Sequence, residues 1–151
     1  MTLTIGTPAP PFALRNQRRE TISTDDLFGQ PWVAVFMPFA FTRTCEGELC
    51  EIRDNFEVFG DTRVVVITCN TLHSNAVWAE QQGFTFDILS DFWPHGEVTR
   101  AYHTFDEGYG AAKRTTYFVD AEGIISGVVA SDELGTARPF QEYRALLEPA
   151  G

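Results

Sequence analysis

The stretch PWVAVFMPFAFTRTCEGELCEIRDNF, residues 31–56, contains the two patterns that decide the fold. Residues 31–38 form a continuous apolar run, which is typical of a strand buried on both faces. From Thr44 onward, apolar residues recur at intervals of three and four, and this spacing predicts one amphipathic helix as far as Phe59. Its apolar stripe consists of Leu49, Ile52, Phe56 and Phe59. A buried strand followed closely by such a helix indicates a layered α/β fold.

The same alternation of strand and helix continues on both sides of this stretch. Residues 12–23 predict an N-terminal β-hairpin around a polar turn, and residues 120–123 predict the turn of a second hairpin. Further strands are predicted at 63–70, 86–91, 114–119 and 124–130, and further helices at 24–29, 74–83, 97–102 and 138–148. This order predicts one α/β domain over residues 1–151, with a mixed central sheet flanked by helices. A thioredoxin-like fold fits the order, and the pattern alone leaves other α/β sandwiches open.

Composition and charge narrow the classes of function. Eleven basic and twenty-one acidic side chains give a net charge of −10, which repels nucleic acid and anionic lipid, so neither is expected as a partner. No apolar stretch reaches the roughly 18 residues of a membrane span, and the N-terminus has no secretory signal pattern. Three irregularly spaced cysteines do not fit a secreted disulfide framework. The sequence therefore predicts a cytoplasmic protein whose thiols are core residues, metal ligands or redox groups.

Cys45 is the first candidate for chemistry, because it follows a buried strand and lies in the first turn of the predicted helix. Free backbone N–H groups and the positive end of the helix dipole favour a thiolate there, and the thiolate is the nucleophilic form. Position alone leaves open that Cys45 is a small core residue. Pro38, Thr42 and Cys45 also follow the spacing P-x-x-x-T-x-x-C, with Glu48 three residues later. Donors beside a thiolate suit attack on an O–O bond, since they align both oxygens and stabilise the leaving group.

This spacing, on the loop and first helical turn after a buried strand, resembles the active-site signature of the peroxiredoxins. The likeness covers nearly the whole chain, from GTPAPPFAL at residues 6–14 to KRTTYFVDAEG at residues 113–123. The runs AFTRTCEGELCEIRDNF and GFTFDILSDFWPHG are most similar to the AhpE-type subgroup of actinobacteria. The resemblance implies a thioredoxin-like fold and a thiol-dependent peroxidase.

The resemblance also implies a role for each matching residue. Cys45 would be the peroxidatic cysteine, which is oxidised to a sulfenic acid, and Thr42 and Pro38 would complete the active-site loop. Arg114, shortly before the F-V-x-D run, would stabilise the thiolate and bind a peroxide oxygen. Glu48 would orient the threonine and the arginine. Without the resemblance, Arg114 is a charge at the start of a strand and Glu48 is an acid on a helix surface.

Cys50 lies five residues after Cys45, which is too far for a C-x-x-C pair. In a helix, five residues advance about 7.5 Å along the axis, whereas a disulfide needs Cα atoms within about 4.4–6.8 Å. The two cysteines can therefore bond only if the first turns of the helix unwind. Bacterioferritin-comigratory-type peroxiredoxins carry a resolving cysteine at this spacing, whereas the best-known AhpE-type proteins lack one. By this resemblance Cys50 resolves the sulfenic acid, and an external thiol is the alternative.

The helical wheel places Cys50 on a polar flank with Glu46 and Arg53, which predicts an accessible thiol rather than a core residue. Cys69 ends a predicted buried strand, and we interpret it as a core residue. No C-x-x-C or H-x-x-x-H pair occurs, so the sequence predicts neither a metal nor a cofactor.

The sequence thus predicts a thiol-dependent peroxidase for hydrogen peroxide or organic hydroperoxides. The resemblance implies a thiol reductant, either mycothiol with mycoredoxin or thioredoxin. It also implies a homodimer, formed through a surface beside the active-site loop. Two alternatives stay open. One is a non-catalytic peroxide sensor or holdase on the same scaffold, and the other is a thiol–disulfide oxidoreductase, which would be expected to carry C-x-x-C.

Overall fold

A mixed β-sheet forms the centre of the structure, a computed structural model that describes residues 2–131 and 133–147. The strands in these residues are β1 (Ala13–Arg15), β2 (Thr21–Ser23), β3 (Trp32–Met37), β4 (Arg63–Thr68), β5 (Asp87–Ser90), β6 (Phe105–Asp106), β7 (Ala111–Ala112), β8 (Thr115–Val119) and β9 (Ile125–Ala130). The helices are α1 (Thr24–Leu27), α2 (Arg43–Asp54), α3 (Leu72–Gln82), α4 (Glu97–Ala101) and α5 (Phe140–Leu147). Seven of the described strands form the sheet in the order β2–β1–β5–β4–β3–β8–β9, and β6 and β7 pair separately.

Three parallel strands give the sheet its buried centre. β3 pairs in parallel with β4, and β4 pairs in parallel with β5. β8 joins β3 in antiparallel orientation, β9 joins β8, and the N-terminal hairpin joins β5 through β1. All six residues of β3 are buried. A parallel centre with helices on both faces explains why this strand is a continuous apolar run.

The core has two halves, one on each face of the sheet. Successive side chains of a strand point to opposite faces. Val33, Val35 and Met37 lie in the half that α2, α3 and α5 cover. Ala34 and Phe36 lie in the half that α1 and α4 cover. Met37, the last residue of β3, therefore leaves the sheet on the side of α2.

The predicted mixed sheet, its flanking helices and the N-terminal hairpin are confirmed. The predicted helix from Thr44 to Phe59 is wrong at its end, because α2 stops at Asp54 and Phe56–Phe59 form a separate 3-10 turn. Asn55 leaves helical geometry (φ −122°, ψ 31°). Phe59 then packs against two aromatic rings of α5, at centroid distances of 6.3 and 6.4 Å. The apolar spacing continues across the break, so it could not reveal the break.

Smaller differences concern the second half of the chain. The helix predicted over residues 138–148 begins at Phe140, and residue 148 lies outside the described residues. The sequence did not predict the β6–β7 pair, because two-residue strands are too short to show any periodicity. None of the helices in residues 2–131 and 133–147 is both long and apolar enough to cross a membrane.

Candidate active site

Cys45 lies in the first turn of α2, which the chain enters from β3 through a loop of residues 38–42. Phe41 in this loop has a left-handed backbone conformation (φ 65°), which is uncommon for a residue other than glycine. Thr42 is the N-cap of α2, and its carbonyl accepts a hydrogen bond from the Glu46 N–H at 2.9 Å. The loop thus turns the chain sharply from β3 into the helix that carries Cys45.

Groups at two neighbouring strand ends fix this loop. The Ala40 N–H donates to Asn70 Oδ1 at 2.9 Å, and Asn70 follows β4 by two residues. The Asn70 carbonyl accepts a hydrogen bond from Ser90 Oγ at the end of β5, at 2.6 Å. Pro38 is buried and brings no N–H that requires a partner. The carboxyl ends of three adjacent parallel strands therefore hold the loop, which is where sites form in such sheets.

The sulfur of Cys45 accepts a hydrogen bond from a buried guanidinium. Arg114 Nη2 lies 3.2 Å from Cys45 Sγ, and the two residues are 3% and 0% exposed. Arg114 directly precedes β8. β8 pairs with β3 in antiparallel orientation with Val35 opposite Thr116, so two residues further along β3 Met37 lies beside Arg114. A guanidinium is always charged, so Arg114 brings a positive charge and a directed N–H donor to the sulfur.

Two further contacts hold Arg114 in this orientation. Its Nη1 donates to Glu48 Oε1 at 2.5 Å, and its Nε donates to the carbonyl of Leu134 at 2.5 Å. The guanidinium is planar, so these two bonds fix its plane and aim Nη2 at Cys45.

Glu48 is itself held by a second buried arginine, Arg138. The Arg138 backbone N–H and Nε donate to Glu48 Oε2 at 2.7 and 2.9 Å, and Nη2 donates to Oε1 at 2.9 Å. Burial raises the pKa of Glu48, but the hydrogen bonds and charge of Arg138, together with the charge of Arg114, outweigh burial and hold this pKa below its ordinary value. Glu48 is therefore a buried anion between two guanidinium groups, not an acid on the helix surface.

The sequence did not predict a role for Arg138, because this residue lies 90 residues from Glu48 and no local pattern marks it. It also donates to the Phe36 carbonyl at 2.8 Å and to Thr116 Oγ1 at 3.1 Å, so three distant segments converge on it. One signal could have pointed to it. Glu48 is spaced as a member of the apolar stripe that contains Ile52, and a buried carboxylate needs charged partners for both of its oxygens.

Comparison with known proteins places this site in a family. The model of the AhpC/TSA family matches residues 5–128. The chain is a peroxiredoxin. It is 43% identical over 126 residues to alkyl hydroperoxide reductase E of Mycobacterium tuberculosis, which covers 82% of each chain. It is 30% identical over 136 residues to a putative peroxiredoxin bcp of Coxiella burnetii, which covers 85% of this chain and 89% of that protein. The crystal structure of peroxidoxin BcpB from Mycobacterium tuberculosis matches with a TM-score of 0.84 and 25% identity, over 96% of both chains.

Membership confirms the predicted family, fold and class of activity. The mixed sheet and the solved relatives give this peroxiredoxin a thioredoxin-like fold. It is a thiol-dependent peroxidase, an oxidoreductase that acts on a peroxide and a thiol reductant.

Two other predicted site residues of this peroxiredoxin lie around the Cys45 centre. Thr42 is exposed, and its hydroxyl donates to the Phe39 carbonyl at 3.0 Å. Cys50 is half-buried on another flank of α2, with its Sγ 3.6 Å from Gln82 Oε1 in α3. The flank predicted to be accessible is thus partly covered by α3. Because α2 is helical from Arg43 to Asp54, Cys45 and Cys50 are out of bonding distance in this state.

Cys69 is buried beside Thr99, with Sγ 3.6 Å from Thr99 Oγ1. Burial raises the pKa of this thiol to about 11, although the hydrogen bond with Thr99 opposes the rise. These features agree with its interpretation as a core residue. Across the part of the chain that the structure describes, no group of three or more His, Cys, Asp or Glu residues is placed to hold a metal ion.

Proposed function

We propose that Cys45 is the peroxidatic cysteine of this peroxidase. The observation that carries the proposal is the 3.2 Å contact between Arg114 Nη2 and Cys45 Sγ. The thiolate attacks one oxygen of the peroxide, an S–O bond forms as the O–O bond breaks, and the sulfur loses two electrons to become a sulfenic acid. The other oxygen leaves as alkoxide or hydroxide, takes up a proton, and departs as alcohol or water.

The residues around Cys45 align the peroxide and stabilise the oxygen that leaves. In this proposal Arg114 binds both the thiolate and a peroxide oxygen, and Glu48 orients Arg114. The Thr42 hydroxyl, now bonded to a loop carbonyl, donates to the peroxide after a rotation about its Cα–Cβ bond. Pro38 closes the loop without adding a competing donor. Since Cys45 is completely covered, the loop must move to admit the peroxide.

Cys50 resolves the sulfenic acid in the same proposal. Its thiolate attacks the sulfenic sulfur, an S–S bond forms, and hydroxide leaves and is protonated to water. The first two turns of α2 must unwind for this step, because the intact helix holds the two cysteines apart. A cytoplasmic thiol then reduces the disulfide by exchange. In this proposal the reductant is mycothiol with mycoredoxin, or thioredoxin, as the resemblance to AhpE-type peroxiredoxins implies.

Stopped-flow measurement of tryptophan fluorescence tests the role of Cys45, with hydrogen peroxide and a simple alkyl hydroperoxide as substrates. Cys45→Ser should lose at least about 10³-fold of the rate constant for reaction with peroxide. Cys69→Ala, the matched control, should keep the wild-type rate. If Cys45→Ser reacts as fast as wild type, the proposal is wrong. With a reductant present, an enzyme consumes many equivalents of peroxide, whereas a non-catalytic sensor stops after one.

Mass spectrometry after one equivalent of peroxide tests the role of Cys50. Wild type should contain a Cys45–Cys50 disulfide, and Cys50→Ser should contain a sulfenic acid that is readily oxidised further. A sulfenic acid that persists in wild type excludes Cys50 as the resolving residue and favours an external thiol.

A homodimer is part of the proposal, because loops beside the active site expose large aromatic side chains. Phe92, Trp93 and Tyr109 are 47%, 81% and 67% exposed. The ring nitrogens of His95 lie 3.2 and 2.7 Å from carbonyl oxygens of the two loops that carry them. Tyr109 also packs against Phe39 of the active-site loop, at a centroid distance of 6.4 Å. Exposed apolar patches of this kind support a protein contact at this place.

A further inference from the structure

Trp78 ties the start of α2 to α3. Its indole is completely buried, and Nε1–H donates to Glu46 Oε1 at 3.0 Å. Glu46 directly follows Cys45 in the first turn of α2. The Trp78 ring also packs against Phe41 of the active-site loop, at a centroid distance of 6.2 Å. One core side chain of α3 therefore contacts the chain on both sides of Cys45.

This contact belongs to a stripe of α2 that faces α3. Residues 46, 50 and 53 share one flank of the helix, since their spacing is four and three. Cys50 Sγ lies 3.6 Å from Gln82 Oε1, and the Arg53 guanidinium donates to the Gln82 carbonyl. Of these residues, Glu46 lies nearest to the start of the helix and in the turn that must unwind first.

Unwinding the first turns of α2 separates Glu46 from Trp78. The indole N–H can only donate a hydrogen bond, and it lies at a completely buried position. Loss of its acceptor leaves a buried polar group without a partner, which is unfavourable. The bond therefore opposes the local unfolding that brings Cys50 to Cys45.

We propose that the Glu46–Trp78 hydrogen bond is a latch that holds the first two turns of α2 closed and limits the rate of disulfide formation. The proposal rests on the proposed resolving role of Cys50. Glu46 acts here as a positioning residue, since it works through the helix. A closed latch keeps Cys45 against Arg114 for the peroxide step. It also prolongs the life of the sulfenic acid, which a second peroxide can oxidise further.

Hydrogen exchange of the backbone amides of residues 46–50 tests the latch, and it requires no disulfide chemistry. Glu46→Ala and Trp78→Phe should each speed exchange in this segment about tenfold. The same result is expected in a Cys50→Ser background. Glu51→Ala removes an exposed carboxylate from the same helix and serves as the matched control, with exchange equal to wild type.

Two variants separate the hydrogen bond from the effect of charge at a helix start, where an acid is favourable. Glu46→Gln keeps an acceptor but loses the charge, so it should exchange within about twofold of wild type. Trp78→Phe keeps the charge but loses the donor. Adding Glu46→Ala to Trp78→Phe should not speed exchange further, because both changes remove the same bond. Fast exchange in Glu46→Gln together with wild-type exchange in Trp78→Phe would show that the charge, not the hydrogen bond, holds the helix closed. Wild-type exchange in Glu46→Ala would also contradict the latch.

Rapid quenching followed by mass spectrometry tests the kinetic consequence. Relative to the peroxide step, Glu46→Ala should form the Cys45–Cys50 disulfide about tenfold faster. It should also need more peroxide before half of Cys45 is over-oxidised. If Glu46→Ala exchanges faster but forms the disulfide at the wild-type rate, the latch does not limit the rate of disulfide formation. Absence of this disulfide in the wild type contradicts the role of Cys50 and the kinetic part of the proposal, whereas the exchange experiment decides the latch itself.

Discussion

The buried side chains around the Cys45 sulfur carry more positive than negative charge. Arg114 and Arg138 bring two positive charges into a region from which water is excluded, and Glu48 brings one negative charge. A buried net charge is costly. The Cys45 sulfur lies in contact with Arg114, and in the proposed mechanism its thiolate is the second negative charge. In the proposed mechanism Glu48 therefore has a second role besides orienting Arg114: it neutralises one of the two positive charges and leaves the other for the sulfur.

Replacement of Glu48 by glutamine tests this balance through stability. Glu48→Gln should lower the free energy of unfolding at pH 7 by about 3 kcal/mol, because two buried guanidinium groups lose their shared anion. The folded state holds the Glu48 pKa below its ordinary value of 4.5. Its contribution is therefore complete above about pH 4.5 and is lost as the pH falls through the lower, folded pKa.

Urea unfolding of wild type and Glu48→Gln between pH 3 and 7 measures this difference. Glutamine does not titrate, so the gap between the two proteins should shrink on the acid side of pH 4.5. Glu51→Gln, on an exposed position of the same helix, should match wild type throughout. A gap that stays constant with pH shows that the ionised carboxylate of Glu48 is not the source of the stability.

Cys69 should differ from Cys50 in reactivity toward alkylating agents. Burial raises the pKa of Cys69 to about 11, so roughly one thiol in a thousand is ionised at pH 8. In folded protein at pH 8, iodoacetamide should modify the half-buried Cys50 long before Cys69. Peptide mass spectrometry over time checks the order, with protein in urea as the control in which all three react. Early labelling of Cys69 in folded protein contradicts a closed core at the end of β4.

Among the elements, α2 shows what periodicity can and cannot predict. The stripe of Leu49 and Ile52 predicted the helix and its buried face, because both packing and spacing follow the same turn. The helix end at Asp54 was not predictable, since Phe59 keeps the apolar spacing after the backbone has left the helix. The covered flank at Cys50 was not predictable either. A polar residue can face a neighbouring helix as well as water, and only the position of α3 decides between them.

Gly47 offers a way to strengthen α2 without a new contact. It lies exposed within the helix, and a Cβ added there meets no atom within 4 Å. Gly47→Ala should therefore stabilise the helix by about 1 kcal/mol, because alanine loses less backbone freedom. If α2 must unwind for resolution, the Cys45–Cys50 disulfide should form about fivefold more slowly.

Rapid quenching after one equivalent of peroxide measures this rate for Gly47→Ala. The same substitution in a Cys50→Ser background is the control, and there the lifetime of the sulfenic acid should not change. A wild-type rate of disulfide formation, in a variant shown by urea unfolding to be more stable, argues that resolution does not pass through an unwound helix.

For the whole molecule, the sequence predicted the layers but not the contacts that build the site. Strand and helix patterns are local, and they were sufficient for the mixed sheet and its hairpin. The site depends on pairs distant in sequence: Arg114 is 69 residues from Cys45, and Arg138 is 90 residues from Glu48. The resemblance to the peroxiredoxins predicted a role for Arg114. No local pattern predicted a role for Arg138, because this residue becomes buried only when the sheet, α2 and the segment before α5 come together.

The surface beside the active site gives the last prediction, which concerns assembly. A chain with a net charge of −10 resists association through general repulsion, so a dimer needs a specific apolar surface. Trp93 and Tyr109 provide one, at 81% and 67% exposure. A charge placed there must be desolvated in a dimer, which opposes association. Trp93→Asp and Tyr109→Asp should therefore each convert the dimer to a monomer at micromolar concentration.

Light scattering coupled to size-exclusion chromatography measures the mass in solution. Phe28→Asp is the matched control, since Phe28 is also 67% exposed. Phe28 precedes β3, whereas the active-site loop follows β3, so Phe28 lies toward the opposite end of this strand. Wild type and Phe28→Asp should have the mass of two chains, and the variants beside the active site should have the mass of one. If all four proteins are dimers, the contact lies elsewhere; if wild type is a monomer, these aromatic side chains serve another purpose.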